Sequence, residues 1–470
     1  MPPREGGRYV LYWMQQAMRA EGNAALDHAV ELANGLGLPV VVSFGLTGAR
    51  SLPYPEANAR HYAFLLEGLA DVAASLERRG IAFVIRAGAP DEVSTTLSEQ
   101  AAILVCDRGY LRPQREWHAK AVERVTCRMV RVETDAVVPL DVVSTKHEFA
   151  ARTIRPKIER LIDNYLVEHP SPSLHHKATG LDLSSDVDLS DPRKTVASLK
   201  VDQGVGPVAR FRGGLTAARA QLAAFLAGGF DGYAEMRNRP ERQAVSHLSP
   251  YFHFGQISPI EVALAVRSAG EGGFDDRKSY LEEAIVRREL SFNHVLYAPG
   301  YDRYDEAVPD WARKTLDEHR GDPRPRLYGR TQLEAGETHD VAWNAAMREM
   351  RETGYMHNRL RMYWGKKILE WSQTPEEAFA TTLAINNRYF VDGRDANSFT
   401  NVAWLFGLHD RPWFRRPIFG TVRYMGENTL KKFDLPAYVA SVDALAHAEG
   451  AALEHAGRAR VERHRGDMAP

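Results

Sequence analysis

The chain has 470 residues, 44% hydrophobic and 26% charged, with a formal net charge of −1. That length exceeds one ordinary core, so two or three domains are expected, and no apolar run approaches the roughly 18 residues that a membrane helix needs. Cys106 and Cys127 are the only cysteines, too few within one chain for a disulfide scaffold or a four-cysteine iron–sulfur or zinc site; no metal is expected, and any nucleic-acid surface must be a local basic patch.

Residues 1–7 lack the apolar stretch of a signal peptide, so a cytoplasmic, nucleoid-associated protein is expected. Tyr9 to Met14, Val40 to Phe44, Ile81 to Arg86, Ile103 to Cys106 and Met129 to Val132 are β-branched apolar runs that read as strands. Between them, residues 23–36, 59–79, 90–100 and 114–125 space Ala, Leu and Val as helices do, with Pro90 opening one. Parallel strands need such crossovers, so residues 1–167 predict a doubly wound, Rossmann-like α/β domain. Pro, Ser, Asp and Gly dominate from Glu168 to Gly214, a long interdomain linker over 168–214. From Leu215 to about His455 the spacing is helical, giving a mostly α-helical domain over 215–470, and the basic run Arg458–Arg465 reads as a fraying, solvated helix end.

Stock motifs are absent: no GxGxxG, no P-loop, no GxSxG, and no HExxH, since Ala151 follows His147-Glu148 where a second histidine would stand. Five segments of the helical domain carry chemistry instead. Gly232-Tyr233, followed by Val245-Ser246-His247-Leu248-Ser249-Pro250-Tyr251 and Gln256, is either a capped surface turn or a loop whose hydroxyls and N–H groups hold phosphate. Glu282-Glu283-Ala284-Ile285-Val286-Arg287-Arg288-Glu289-Leu290 reads alone as a solvated helix face with i,i+4 pairs.

The third segment, Met356-His357-Asn358-Arg359-Leu360-Arg361-Met362-Tyr363-Trp364 through Trp371, sets Trp364 and Trp371 on one helix face about 10 Å apart along the axis, either as core packing or as stepping stones for an electron. Asn386-Asn387 and Asp392-Gly393-Arg394-Asp395-Ala396-Asn397 form the fourth, a turn whose carboxylates and amides could pair a buried polar ring. The fifth is Trp404 and Arg411 through Arg423, where Arg, Trp, Phe and Tyr interleave as backbone contacts and stacking platforms do in nucleic-acid surfaces.

In this order the segments resemble the photolyase/cryptochrome family, and Arg-Met-Tyr-Trp-x-Lys-Lys-Ile-Leu-Glu-Trp looks like its class II cyclobutane pyrimidine dimer photolyases in particular. Tyr12-Trp13-Met14-Gln15 and Thr153-Ile154-Arg155-Pro156-Lys157-Ile158 are similar to the same class. Val245 stands where the family has threonine, Val286 where first-class photolyases have tryptophan, and Ala396 where class II has proline. The resemblance implies an antenna domain, a linker and a helical FAD- and DNA-binding catalytic domain, and a carbon–carbon lyase that repairs dimers in flipped-out DNA by electron transfer from reduced, anionic FAD. It implies that Tyr233, Val245, Ser246, His247, Leu248, Ser249, Gln256, Glu283, Arg287, Asn358, Arg361, Trp364, Asn386, Asp392, Gly393, Asp395 and Asn397 bind the cofactor. Glu283, Met362, Asn386 and Trp404 would act on the lesion, with Trp404, Arg411 and Arg423 on DNA. Trp364, Trp343 and Trp371 would carry electrons. A deazaflavin, a folate or a flavin could serve as second chromophore. A monomer is expected, a cryptochrome-like photoreceptor or a (6-4) photolyase using His247 and His357 being the alternatives, and a plain DNA-binding module the reading outside the family.

Overall fold

The computed structural model describes residues 2–48, 56–168 and 170–466, with side chains described up to residue 455. Strands β1 (Tyr9–Trp13), β2 (Val40–Leu46), β3 (Ala82–Ala87), β4 (Ala101–Asp107) and β5 (Arg128–Val132) form one parallel sheet in the order β3-β2-β1-β4-β5. Every residue of β1, β2 and β4 is buried, the pattern of strands covered on both faces. The crossovers are α1 (Ala24–Leu36), α2 (Ala59–Arg78), α3 (Pro90–Ser98) and α4 (Arg112–Arg124). Asn23 caps α1 by accepting from the N–H groups of Ala25 and Leu26, and Gly37 ends it at φ 67°.

Strand order reverses at β1, where α/β folds place ligand crevices. There the Asp107 carboxylate accepts from the Tyr12 hydroxyl (2.6 Å) and from the N–H groups of Gln15, Gln16 and Ala17. Four donors on one carboxylate pin the loop leaving β1 against the end of β4.

Between residues 170 and 214 the described chain is irregular apart from the short helix Pro192–Ser198. It runs along β3: Asp186 N–H donates to Ile85 O (3.1 Å) and Ala87 N–H to the Asp186 carboxylate (2.7 Å). An edge strand left bare would invite pairing with another chain, so this stretch covers as well as connects.

From Leu215 on, the described residues form helices and turns. The hydrophobic core crosses from the sheet into this region, joining Val10 and Tyr12 to Phe211, Phe225, Tyr251 and Phe254. The last helix, Leu435–Gly466, returns over the bundle, with Tyr438 donating to Glu349 (2.7 Å) and Glu449 accepting from the backbone N–H groups of Ala209 and Arg210. The side chains of the basic run 458–465 lie outside the described residues.

Gly255 seals the seam between the halves. It sits at φ +61°, and a Cβ there would stand 1.9 Å from the Gln16 carbonyl oxygen, while its own carbonyl accepts from Arg19 (2.9 Å). Gly255→Ala is expected to lose at least about 1 kcal/mol for the left-handed backbone alone, more once Gln16 is displaced, read as a lowered thermal midpoint.

Candidate active site

One continuous helical run passes the cavity. Phe274–Leu281 is α-helical, Glu282–Arg287 widens into a π-helical turn, and Arg288–Tyr297 resumes the α-helix. Such a turn rotates the side chains beyond it and often marks a functional site. Here it brings Glu283, Ala284 and Arg288 to a cavity of about 240 Å³. Glu283 pairs with Arg237 at 2.8 Å and is 40% exposed, placing it at the mouth.

The opposite wall is the loop before the short helix Ser249–His253. Val245, Ser246, His247, Leu248 and Ser249 all line the cavity, as does Tyr233. His247 adopts φ 53°, a left-handed conformation uncommon for a side-chain-bearing residue. Its Nε2 meets Arg210 Nη2 at 3.2 Å, and its ring stands edge-on to Tyr355 with centroids 4.7 Å apart. Burial, reinforced by Arg210, pushes the His247 pKa down to about 3, so the ring is neutral. Tyr280 donates to Ser246 Oγ (3.2 Å).

Asn358 and Arg361 approach from the helix Asn358–Trp371, and Asp392, Asp395, Asn397 and Asn401 from the turn and helix beyond it. Arg361 pairs loosely with Asp392 (3.3 Å) and lies 3.8 Å from the Phe390 ring centroid. Asp395 caps the helix Ala396–Leu405 and accepts from Asn397 Nδ2 (3.1 Å), while Ser291 donates to Asn397 Oδ1 (2.8 Å). Burial works to raise the Asp395 carboxyl, but His253 and Arg288 hold it below its usual range, so it stays ionised.

Five expected cofactor contacts lie outside this lining. Gln256 is fully buried and committed elsewhere, accepting from Gly214 N–H (2.7 Å) and donating to Phe64 O (3.2 Å); it ties α2 to the start of the helical region. Arg287 donates to Glu282 (3.0 Å) and lies 5.9 Å from the Trp404 ring. Asn386 donates to Asn387 Oδ1 (3.1 Å), behind the wall. Gly393 serves the tight turn, where a Cβ would meet Asn387 O at 2.8 Å. Trp364 is buried in the neighbouring core cluster, against which the half-buried Met362 also packs.

Of the lining residues, Arg237 and Tyr280 stand outside the segments singled out in the sequence, while Arg288, Tyr355 and Met356 stand in or beside them with no role assigned. Asn401 was findable, one helical turn beyond Asn397 on the same face.

Behind the cavity, Trp343 is the hub of the tryptophans. It stacks on Trp364 (centroids 6.3 Å apart, planes 14°) and meets Trp371 at 5.6 Å and 64°, its Nε1 donating to Trp364 O (3.0 Å). All three are buried. On the outside, Trp413 lies between Arg411 (5.6 Å) and Arg423 (4.7 Å), beside Phe414, which is 90% exposed.

The DNA photolyase sequence family matches residues 10–175. Over 434 residues the chain is 43% identical to a deoxyribodipyrimidine photo-lyase of Methanothermobacter thermautotrophicus, covering 92% of this chain and 94% of that protein. The chain belongs to the DNA photolyase family. It is accordingly an enzyme, a photo-lyase. The namesake enzyme of Potorous tridactylus is 37% identical, covering 91% of this chain and 80% of its own. Among solved structures, a class III photolyase from Agrobacterium tumefaciens superposes with a TM-score of 0.71 at 21% identity, covering 92% of this chain and 86% of its own. An archaeal photolyase from Sulfolobus tokodaii, described with two FAD molecules, gives 0.67 at 16%, covering 92% and 88%. The α/β sheet followed by a helical region is thus this family's fold. Among the described residues no helix is long and apolar enough to cross a membrane, and no group of three or more His, Cys, Asp or Glu could hold a metal ion.

Proposed function

We propose that the chain is a class II photolyase that reverses cyclobutane pyrimidine dimers in DNA under light, with FAD in the cavity. The observation that carries this reading is the convergence of four separate segments on one cavity, with hydroxyls on one wall, carboxylates and amides on the other, and Glu283 at the mouth. The donor set suits a flavin dinucleotide. Ser246 and Ser249 would hold phosphate oxygens, while Asn358, Arg361, Asp392, Asp395 and Asn397 offer the amide, guanidinium and carboxylate partners that a buried polar ring requires.

When bound and reduced, FAD supplies the photochemistry, lending one electron to a dimer whose two inter-base C–C bonds then open. The protein's part is placement and charge. Arg361 favours an anionic state of the ring near it. The lesion, weakly paired and easily extruded, enters at the mouth, where Glu283 hydrogen-bonds it and Met362 and Trp404 pack against it. Arg411 and Arg423 grip the strand.

His247 and His357 are buried and neutral, their pKa values pushed down by burial to about 3 and about 4. His247 lines the cavity and His357 does not, so the two present no histidine pair to it, which weighs for dimer repair over the (6-4) reaction. We assign residues 1–167 as the antenna unit, 168–214 as the linker and 215–470 as the catalytic unit, the enzyme acting as a monomer in the cytoplasm.

The test is an absorbance spectrum of the purified protein, then illumination of the reduced form with a dimer-containing oligonucleotide. A flavin spectrum and loss of dimers are expected; absence of either refutes the reading. Glu283→Gln, which removes a charge-assisted hydrogen bond, should lower repair roughly tenfold while leaving the spectrum unchanged.

A further inference from the structure

Trp371 ends the row of touching indoles and stands beside a second cavity. Its ring neighbours are Trp343 inward and Tyr328 and His339 outward, the latter two at 5.3 Å each. Although only 3% exposed, it lines a surface pocket of about 550 Å³ together with Arg326, Lys367, Arg416, Tyr424 and Glu427. That volume suits a small molecule.

The pocket's charge selects what enters. Lys367 is matched by Glu370 at 2.7 Å. Arg326 and Arg416 make no ion pair among the described residues, although Arg416 stacks on Tyr424 at 5.1 Å. Two exposed guanidinium groups therefore face one exposed carboxylate, Glu427, leaving an excess positive charge beside an aromatic floor. A guanidinium binds a planar oxyanion through paired N–H donors.

We propose that this pocket binds a small anionic one-electron reductant of the ene-diolate type, which refills Trp371 after it has given up an electron. The proposal rests on the reading of Trp364, Trp343 and Trp371 as an electron path. The step balances: the ene-diolate monoanion passes one electron to the Trp371 radical cation, which returns to neutral indole, and the donor becomes a radical anion as its remaining hydroxyl proton goes to water. The pocket raises the local donor concentration and brings it against an indole edge that bulk solvent scarcely reaches.

Ascorbate is the probe, with neutral dithiothreitol as control. In the dark, saturation-transfer NMR of the full-length holoenzyme should show saturable ascorbate binding, weakened about tenfold by Arg326→Glu and strengthened by Glu427→Lys. Both changes are at exposed side chains that the cavity and the tryptophan row do not use. After a flash, the tryptophanyl radical should decay at a rate that saturates with ascorbate, slower in Arg326→Glu and faster in Glu427→Lys, whereas decay with dithiothreitol should be the same in all three proteins. Absence of dark binding, or binding indifferent to both substitutions, overturns the site. Dark binding with a radical lifetime that ascorbate does not shorten overturns the donor role. No tryptophanyl radical in the wild type, with dark binding intact, instead overturns the electron path and the donor role with it.

Discussion

Asp135→Ala is expected to cost about 3–5 kcal/mol of stability, because it strands a buried guanidinium. Arg288 and Asp135 have side chains only 6% and 4% exposed. The Arg288 guanidinium bonds both the carboxylate and the backbone carbonyl of Asp135, and it lies 5.2 Å from the Phe252 ring and 4.6 Å from the Phe292 ring. The other carboxylate oxygen accepts from Gln16 Nε2 (2.9 Å). Alanine leaves the cation between two aromatic faces without its hydrogen-bonded counter-charge, Asp395 acting on it only through space. The pair joins the segment after β5 to the helix that lines the cavity, so flavin retention should fall with stability. Urea midpoints would read the first effect and bound flavin the second. Asp135→Leu with Arg288→Met, which removes both charges, should recover most of the stability; a single-mutant cost below about 1 kcal/mol would mean that water already solvates the pair.

That pair also shows where local reading stops. The five strands and their crossovers were legible because a parallel sheet buried on both faces leaves uninterrupted β-branched runs, and the crossovers repeat at helical period. β2 reaches Leu46, two residues beyond the expected Phe44, since β3 continues to pair with it. Pattern says nothing about a partner 153 residues away in sequence, so the contact of Asp135 with Arg288 was invisible. The same holds for Gln256, whose place beside the phosphate-like loop suggested a ligand contact, while the structure uses its amide to fasten Gly214 to Phe64. The composition of 168–214 read as a spacer, whereas its bonds to the edge of β3 and to α2 hold it closely. Carboxylates and amides around Asp392 stood out because a turn needs only Gly393, leaving the others to be accounted for. Spacing put Trp364 and Trp371 on one helix face, but that Trp343 bridges them is a tertiary fact.

Trp364→Phe is expected to reduce photoreduction to the level of buffer while leaving repair by chemically pre-reduced enzyme near wild type. The argument lies in the difference between the two ring systems. Phenylalanine fills most of the same space, at a packing cost of about 1–3 kcal/mol, but its ring is far harder to oxidise than an indole. Trp364 is 2% exposed and stacks nearly parallel on Trp343, so losing it interrupts the row at the end from which Trp343 and Trp371 lead outward. Repair needs none of this row if the electron is already in place: Glu283 and Trp404, proposed to contact the lesion, lie on other elements, and Met362, on the same helix, keeps its place when phenylalanine fills the site of Trp364. Trp343→Phe should behave alike, since Trp343 is the shared neighbour of both other indoles. Equal loss of photoreduction and repair in Trp364→Phe would mean that the residue supports the cavity wall rather than conducting, and would remove the electron path from the mechanism.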